Sequence, residues 1–421
     1  MLGADPDEAP APEPAPLLRL RDGLTDVVDT PEGLRQVASR VAQGTGPVAL
    51  DAERASGYRY SARAYLIQLR REGAGTALID PLPFEDLRIL DEAFGDAEWI
   101  LHAATQDLPC LREVALRPTA IFDTELAARL LGYPRVGLAT LVEQIVGQTM
   151  RKEHSAADWS RRPLPAPWLE YAALDVEVLL ELRETLAEQL AAAGKAGWAA
   201  EEFTSLLRFE PRTRLNPWRR TSGIHRVRGR RGLAAVRELW QARDRIAADR
   251  DVTPGRLMPD SALVTAARAM PRSRSALLAT EGFHGRGAKR YAAQWMAALD
   301  TARELPDTEL PPLSERSDGP PPARVWADRD PEAAARLNTA RAAITEMCDR
   351  LEVPAENLLT PDSLRRVLWS PPTAPAPGAD SMTESVSAAL AGLGARAWQI
   401  ELVAPVVAEA ILHPQQPEET T

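Results

Sequence analysis

Residues 48–53 read VALDAE, three apolar residues followed by two carboxylates two positions apart. A short apolar run of this kind predicts a buried strand. In a strand, positions i and i+2 share a face, so Asp51 and Glu53 leave the strand end side by side. Further β-like runs follow in AYLIQL (64–69), TALID (76–80) and EWILH (98–102), with a helical stretch near 84–94. Helical segments are expected around 124–131 and 138–146, then a long one from about Pro167 to Ala193, whose apolar residues mostly keep three- and four-residue steps. This alternation from Pro47 to about Leu207 predicts an α/β layer fold, the class that gathers functional side chains at strand ends.

The whole chain of 421 residues has room for two or three domains of ~150 residues each. With 45% hydrophobic and 26% charged residues, global disorder and collagen-like repeats are excluded. No apolar run approaches the ~20 residues of a membrane span. The first basic residue, Arg19, comes after Asp5, Asp7, Glu8 and Glu13, the reverse of an export signal. Cys110 and Cys348, the two cysteines, form neither a disulfide framework nor a zinc motif. A cytoplasmic protein with no membrane partner is the expectation.

Fifty basic against sixty acidic residues give a net charge of −10, which argues against wholesale coating of nucleic acid. The distribution differs: Arg208 to Arg231 holds nine arginines against Glu210 alone, a local +8. Such a run is either a solvated, self-repelling linker or a phosphate contact zone, and arginine's bidentate geometry with Trp218 among the charges favours the second. Beyond it, Leu233, Val236, Leu239, Trp240, Arg243, Ile246 and Ala247 step by three and four, so a helical domain follows the α/β one. Prolines 306, 311, 312, 320, 321, 322 and 331 mark a second linker. The helical parts are diverged copies: Val252, Leu257, Pro259, Asp260 and Ser261 recur as Val353, Leu358, Pro361, Asp362 and Ser363. Each Pro-Asp-Ser is expected to supply a helix N-cap. The resulting division is a disordered Pro-rich tail (1–16), an α/β domain (17–207), an Arg-rich linker (208–231), a helical domain (232–305), a Pro-rich linker (306–330), a second helical domain (331–412) and a tail (413–421).

Asp51 and Glu53 are weak evidence alone, because 60 acids among 421 residues make such a pair by chance about nine times. Their setting is more telling, since two like charges buried at a strand end are strongly unfavourable without a cation. His102 and Asp107 follow another apolar strand, in ILHAATQDLPCL, where Asp107 also suits a helix N-terminus electrostatically. Tyr171 and Asp175 are one turn apart on the long helix and share a face.

In order, DAE on a strand, HAATQD, FDTELAARLLG and YAALD in a helix, preceded by WSRRPLPAPW, make the chain resemble the ribonuclease D group of DEDD-type 3′→5′ exonucleases from Asp51 to about Leu190. The resemblance implies a ribonuclease-H-like α/β domain with a mixed sheet. It also implies that Asp51, Glu53, Asp107 and Asp175 hold two divalent metals, Mg²⁺ or Mn²⁺. Tyr171 is its motif tyrosine; position 170 is Glu and not His, which matches the tyrosine-type branch. With an ordinary pKa near 10, Tyr171 suits orienting water better than acting as a free base. His102 matches a frequent family residue. Arg54 and Trp168 depart from the family pattern, which bears on substrate-edge contacts and not on the metal ligands.

Gly232 to about Leu299 resembles the HRDC modules that follow such nuclease domains, and Pro331 to Leu412 resembles an HRDC-like module more faintly. Gly282, Gly285 and Gly287 with Arg286, Lys289 and Arg290 form a basic loop suited either to phosphate or to a packing turn. The expected nucleic-acid contacts are His102, Arg219, Arg220, Arg228, Arg230, Arg286, Lys289 and Arg290. The expected protein is a monomeric, metal-dependent 3′→5′ exoribonuclease that releases nucleoside 5′-monophosphates from the single-stranded 3′ end of structured RNA such as precursor tRNA. DNA as substrate, or a non-catalytic RNA-binding scaffold, are the alternatives.

Overall fold

The computed structural model describes residues 15–151, 154–314 and 319–415. The expected N-terminal tail lies outside these residues except for Ala15 and Pro16, as does the C-terminal tail beyond Gln415.

The first part runs β1 (Val27–Val28), α1 (Pro31–Gln43), β2 (Thr45–Arg54), β3 (Ala64–Glu72), β4 (Gly75–Ile79), α2 (Arg88–Phe94), β5 (Trp99–Leu101), α3 (Leu108–Glu113), β6 (Ile121–Asp123), α4 (Thr124–Leu130), α5 (Leu138–Leu141), α6 (Ala166–Glu177), α7 (Leu179–Ala192) and α8 (Ala196–Leu206). The six strands form one mixed sheet in the order β1-β4-β3-β2-β5-β6. β2, β3 and β4 are an antiparallel meander, while β5 joins β2, β6 joins β5 and β1 joins β4 in parallel. β3 is buried from Ala64 to Leu69, which is why AYLIQL lacks alternation. Its Gln68, fully buried, is the polar exception.

The long helix expected from Pro167 to Ala193 is two helices divided at Val178. Burial continues across the break through Val176, Leu179, Leu182 and Leu186, so the apolar spacing does not register it. The segment expected as a helix at 138–146 is α5 plus a π-helical turn at Val142–Val146, ended by Gly147 at φ +71°.

The next part, α9 (Gly229–Asp249), α10 (Pro254–Leu257), α11 (Asp260–Ala269), α12 (Arg274–Ala279), α13 (Arg286–Arg290) and α14 (Ala292–Glu304), has a core of its own around Leu239, Phe283, Trp295 and Leu299. The last, α15 (Trp326–Arg329), α16 (Pro331–Leu351), α17 (Ala355–Leu358), α18 (Pro361–Trp369), α19 (Ala379–Gly392) and α20 (Ala397–Leu412), shares one continuous core with the α/β part. Trp398 stacks on Trp198 at 4.9 Å and donates to Glu202, and Lys195 donates to the carbonyls of both Leu130 and Leu351. The internal repeat is visible as helix lengths: α9 and α16 both have 21 residues, α10 and α17 both have 4.

Two local expectations are corrected. Neither Pro-Asp-Ser caps its helix: α18 is capped by Thr360, whose hydroxyl accepts from Ser363 N–H, and α11 has no side-chain cap. Asp260 instead accepts from Arg243 and from the Ser222 N–H, and Asp362 from Arg365 and Arg366. From Pro217 on, the Arg-rich stretch is packed against the second core and is not extended. Trp218 is 3% exposed in the second core, with the Arg219 guanidinium 4.5 Å above its ring, so it is not available to stack on a base. Arg230 donates to the carbonyls of Leu310 and Pro311, Arg219 to that of Pro312, and Arg231 to those of Ala302, Arg303 and Leu305. The segment after α14 is proline-dense and short of its own donors, and these guanidinium groups satisfy its carbonyls. Among the described residues no helix is long and apolar enough to cross a membrane.

Candidate active site

β2 and α6 meet over the sheet. Asp51 and Glu53 come from β2 and Asp175 from α6, and one carboxylate oxygen of each lies within 4.8 Å of the others. Gln68 stands directly opposite Asp51 in the β2–β3 ladder and donates its amide N–H to Asp51 Oδ2 at 2.5 Å. Sequence reading missed this residue; a glutamine inside an apolar strand was the available signal.

Asp107 is not in that three-carboxylate group but stands beside it, 4% exposed, at the start of α3. Its Oδ1 is 3.7 Å from Arg54 Nη2. The turn that carries it passes through Ala103 at φ +60° and is held by buried Asp123, which accepts from Ala103 N–H and Ala104 N–H and also caps α4 through Glu125 and Leu126. Asp123 is a second residue the sequence reading gave no role; its place before the helical run TELAARLL was the cue. Tyr171 lies one turn before Asp175, is hydrogen-bonded to it, and lines a cavity of about 490 Å³ together with Arg19, Leu20, His154, Glu170 and Leu174.

The electrostatics are those of an enclosed acid cluster. Burial raises Asp51 to about 6 against the opposing effects of the Ala52 N–H, Arg54 and Gln68. Glu53 is pushed up to about 10, first by burial and then by the charges of Asp51, Asp175 and Asp107. Asp107 and Asp175 are also raised, by burial and then by Asp51. Burial, then Asp175 and Glu53, raise Tyr171, so its hydroxyl keeps its proton at neutral pH and acts as a donor. Carboxylates crowded this way are costly unless a cation joins them. An all-oxygen donor set suits a hard divalent ion, so the residues present fit such a metal.

The expected nucleic-acid contacts divide. His102 Nδ1 is 2.9 Å from the Thr124 hydroxyl, and burial lowers the ring to about 4, so it is neutral at pH 7 and offers no cation to phosphate. Arg219 and Arg230 bond to the carbonyls described above. Arg220 and Arg228 are exposed. Arg286, Lys289 and Arg290 are exposed on α13, and Arg286 and Arg290 border a groove of about 440 Å³ with Arg250, Arg256 and Tyr291. This groove adjoins the α/β domain. Arg256 donates to the Gly57 carbonyl with its guanidinium 3.9 Å above the Tyr58 ring, Thr253 N–H donates to the Tyr58 carbonyl, and Asp251 accepts from Ser61 N–H and the Tyr65 hydroxyl. Gly57, Tyr58 and Ser61 lie in the β2–β3 connection and Tyr65 at the start of β3, so the helical domain is seated on the connection leaving the acid cluster. Helical periodicity carries no signal for such an interface.

A family model described as 3′-5′ exonuclease matches residues 25–191, an HRDC domain model matches 232–299, and one described as 3′ to 5′ exonuclease C-terminal domain matches 319–411, the part expected to be a second HRDC-like module. Ribonuclease D of Gluconacetobacter diazotrophicus is 30% identical over 345 residues, which is 79% of this chain and 84% of that protein. Ribonuclease D of Granulibacter bethesdensis is 36% identical over 263 residues, covering 59% of this chain and 65% of that one. Among solved structures, a protein from Bifidobacterium adolescentis aligns with a TM-score of 0.86 at 37% identity, covering 94% of this chain and all of the other. Escherichia coli RNase D, an exoribonuclease involved in structured RNA processing, aligns with a TM-score of 0.66 at 27% identity over 93% of this chain and 99% of its own. Likeness of this extent, in sequence and in fold from the sheet through both helical parts, means that the chain belongs to the ribonuclease D family of 3′-5′ exoribonucleases.

Proposed function

We propose that the protein removes nucleotides one at a time from the single-stranded 3′ end of structured RNA, tRNA precursors among them, and releases nucleoside 5′-monophosphates. The observation that carries this is the convergence of Asp51, Glu53 and Asp175 within 4.8 Å, with Asp107 beside them. Asp51, Glu53, Asp107 and Asp175 would hold two divalent ions, Mg²⁺ or Mn²⁺. Bound there, the ions would activate the attacking water and neutralise charge on the leaving 3′-oxygen.

The chain's own residues do the rest. Gln68 fixes the Asp51 carboxylate, so its free oxygen keeps one direction. Tyr171, held protonated, offers a hydroxyl to the incoming water or the terminal phosphate. The exposed cations of α13 supply a phosphate-binding flank on the domain seated next to the site. The free thiols Cys110 and Cys348 accord with the cytoplasm, and the proposed active unit is the single chain.

The test is hydrolysis of a 3′-extended tRNA and of length-matched RNA and DNA oligonucleotides with Mg²⁺ or Mn²⁺. Asp51→Asn and Asp175→Asn are expected to lower nucleotide release by at least about 100-fold with circular dichroism unchanged. Undiminished hydrolysis overturns the assignment. Preference for the DNA strand would move the activity to DNA, the choice resting on recognition of the 2′-hydroxyl. No hydrolysis with either metal leaves an RNA-binding scaffold.

A further inference from the structure

Arg54 follows the two β2 carboxylates at a position where the ladder shifts register: Glu53 pairs with Leu66, but Arg54 pairs with Ala64, so Tyr65 is the extra residue. Register shifts of this kind re-aim side chains beside active sites. The Arg54 guanidinium lies 3.7 Å from Asp107 Oδ1, with the arginine side chain 27% exposed and that of Asp107 5%. Its charge opposes those of Asp51, Glu53 and Asp107 together.

We propose that Arg54 is a built-in counter-ion of the acid cluster: it partners Asp107 until a divalent ion takes up those carboxylate oxygens, and so sets how tightly the Asp107 side of the site holds metal. This rests on the reading of the four acids as metal ligands. An ion ligated by Asp107 would lie within a few ångströms of the guanidinium, two cations sharing one carboxylate. Arginine stays charged at any working pH, so the competition is permanent. Partial exposure lets the side chain swing aside without unpacking the core.

The experiment is a Mn²⁺ titration of the full chain, stripped with chelator and dialysed, followed by calorimetry and by the electron paramagnetic resonance signal of free Mn²⁺. Wild type is compared with Arg54→Gln, which keeps a polar stem without the charge, and Arg54→Lys, which keeps the charge. The glutamine variant is expected to bind its weaker Mn²⁺ about tenfold more tightly, the weight of one nearby charge discounted for exposure, with lysine close to wild type. In chelator the glutamine variant should melt below wild type and gain more on adding Mn²⁺. Unchanged or weaker Mn²⁺ binding in the glutamine variant, or a lower melting temperature with no larger response to Mn²⁺, overturns the role of Arg54. Wild type that binds no Mn²⁺ would instead overturn the metal-site reading itself.

Discussion

Replacing Glu53 with glutamine should stabilise the metal-free protein, because the folded state holds this carboxyl against its own chemistry. Its ordinary value of 4.5 is raised to about 10 by burial and by Asp51, Asp175 and Asp107. The native protein therefore binds a proton that the unfolded chain releases, and stability is lost progressively as pH climbs from 4.5 toward 10. At pH 7 the cost is about 1.4 kcal/mol for each of the two and a half units above 4.5, or roughly 3 to 4 kcal/mol; at pH 5 it is under about 1 kcal/mol. Glutamine removes the titration and keeps the shape. In differential scanning calorimetry with EDTA, Glu53→Gln should melt roughly 5 °C or more above wild type at pH 7 and within about 2 °C of it at pH 5. Adding Mn²⁺ should narrow the difference at pH 7 by stabilising wild type more. A variant less stable than wild type at pH 7, or a gain of equal size at both pH values, would refute the reasoning.

Gln68→Leu deletes the donor to Asp51 while preserving bulk, and should weaken Mn²⁺ binding by about 10- to 100-fold in calorimetry; affinity equal to wild type would show that Asp51 needs no orienting partner. Asp251→Ala removes the acceptor shared by Ser61 N–H and the Tyr65 hydroxyl, loosening the seat of the helical domain by about 1–3 kcal/mol. Its KM for a structured RNA should rise while cleavage of a short single-stranded oligonucleotide is unchanged, and equal loss on both substrates would contradict a guiding role for that domain.

The α/β class was legible because strand-length apolar runs alternate with helical spacing, and the mixed sheet followed from the family resemblance. The order of the acids was legible because Asp51 and Glu53 share a strand face and Tyr171 and Asp175 a helix face, relations fixed by local geometry. What brings β2 to α6 is tertiary, and so are the partners that hold the site: Gln68 is visible only as an oddity in a strand, and Asp123 only as a helix cap. Charge along the chain says least about which partners each arginine takes in the fold. Nine arginines between Arg208 and Arg231 resemble a phosphate tract, yet Arg230 and Arg231 bond to carbonyls 71 to 81 residues away, pairings no local pattern encodes. The neutral state of the His102 ring was equally hidden, because the hydroxyl of Thr124 and the burial around the ring belong to the fold. The repeat was legible in Val252 to Ser261 and Val353 to Ser363, but not that the second copy shares its core with the α/β part, since apolar faces look alike whatever they pack against.

The most direct measurement is diffraction from crystals of the full chain grown with Mn²⁺, with anomalous data collected at the manganese edge. Two peaks about 4 Å apart or less are expected, ligated by oxygens of Asp51, Glu53, Asp107 and Asp175. Peaks at other residues, or fully loaded crystals in which these four carboxylates bind no ion, would contradict it.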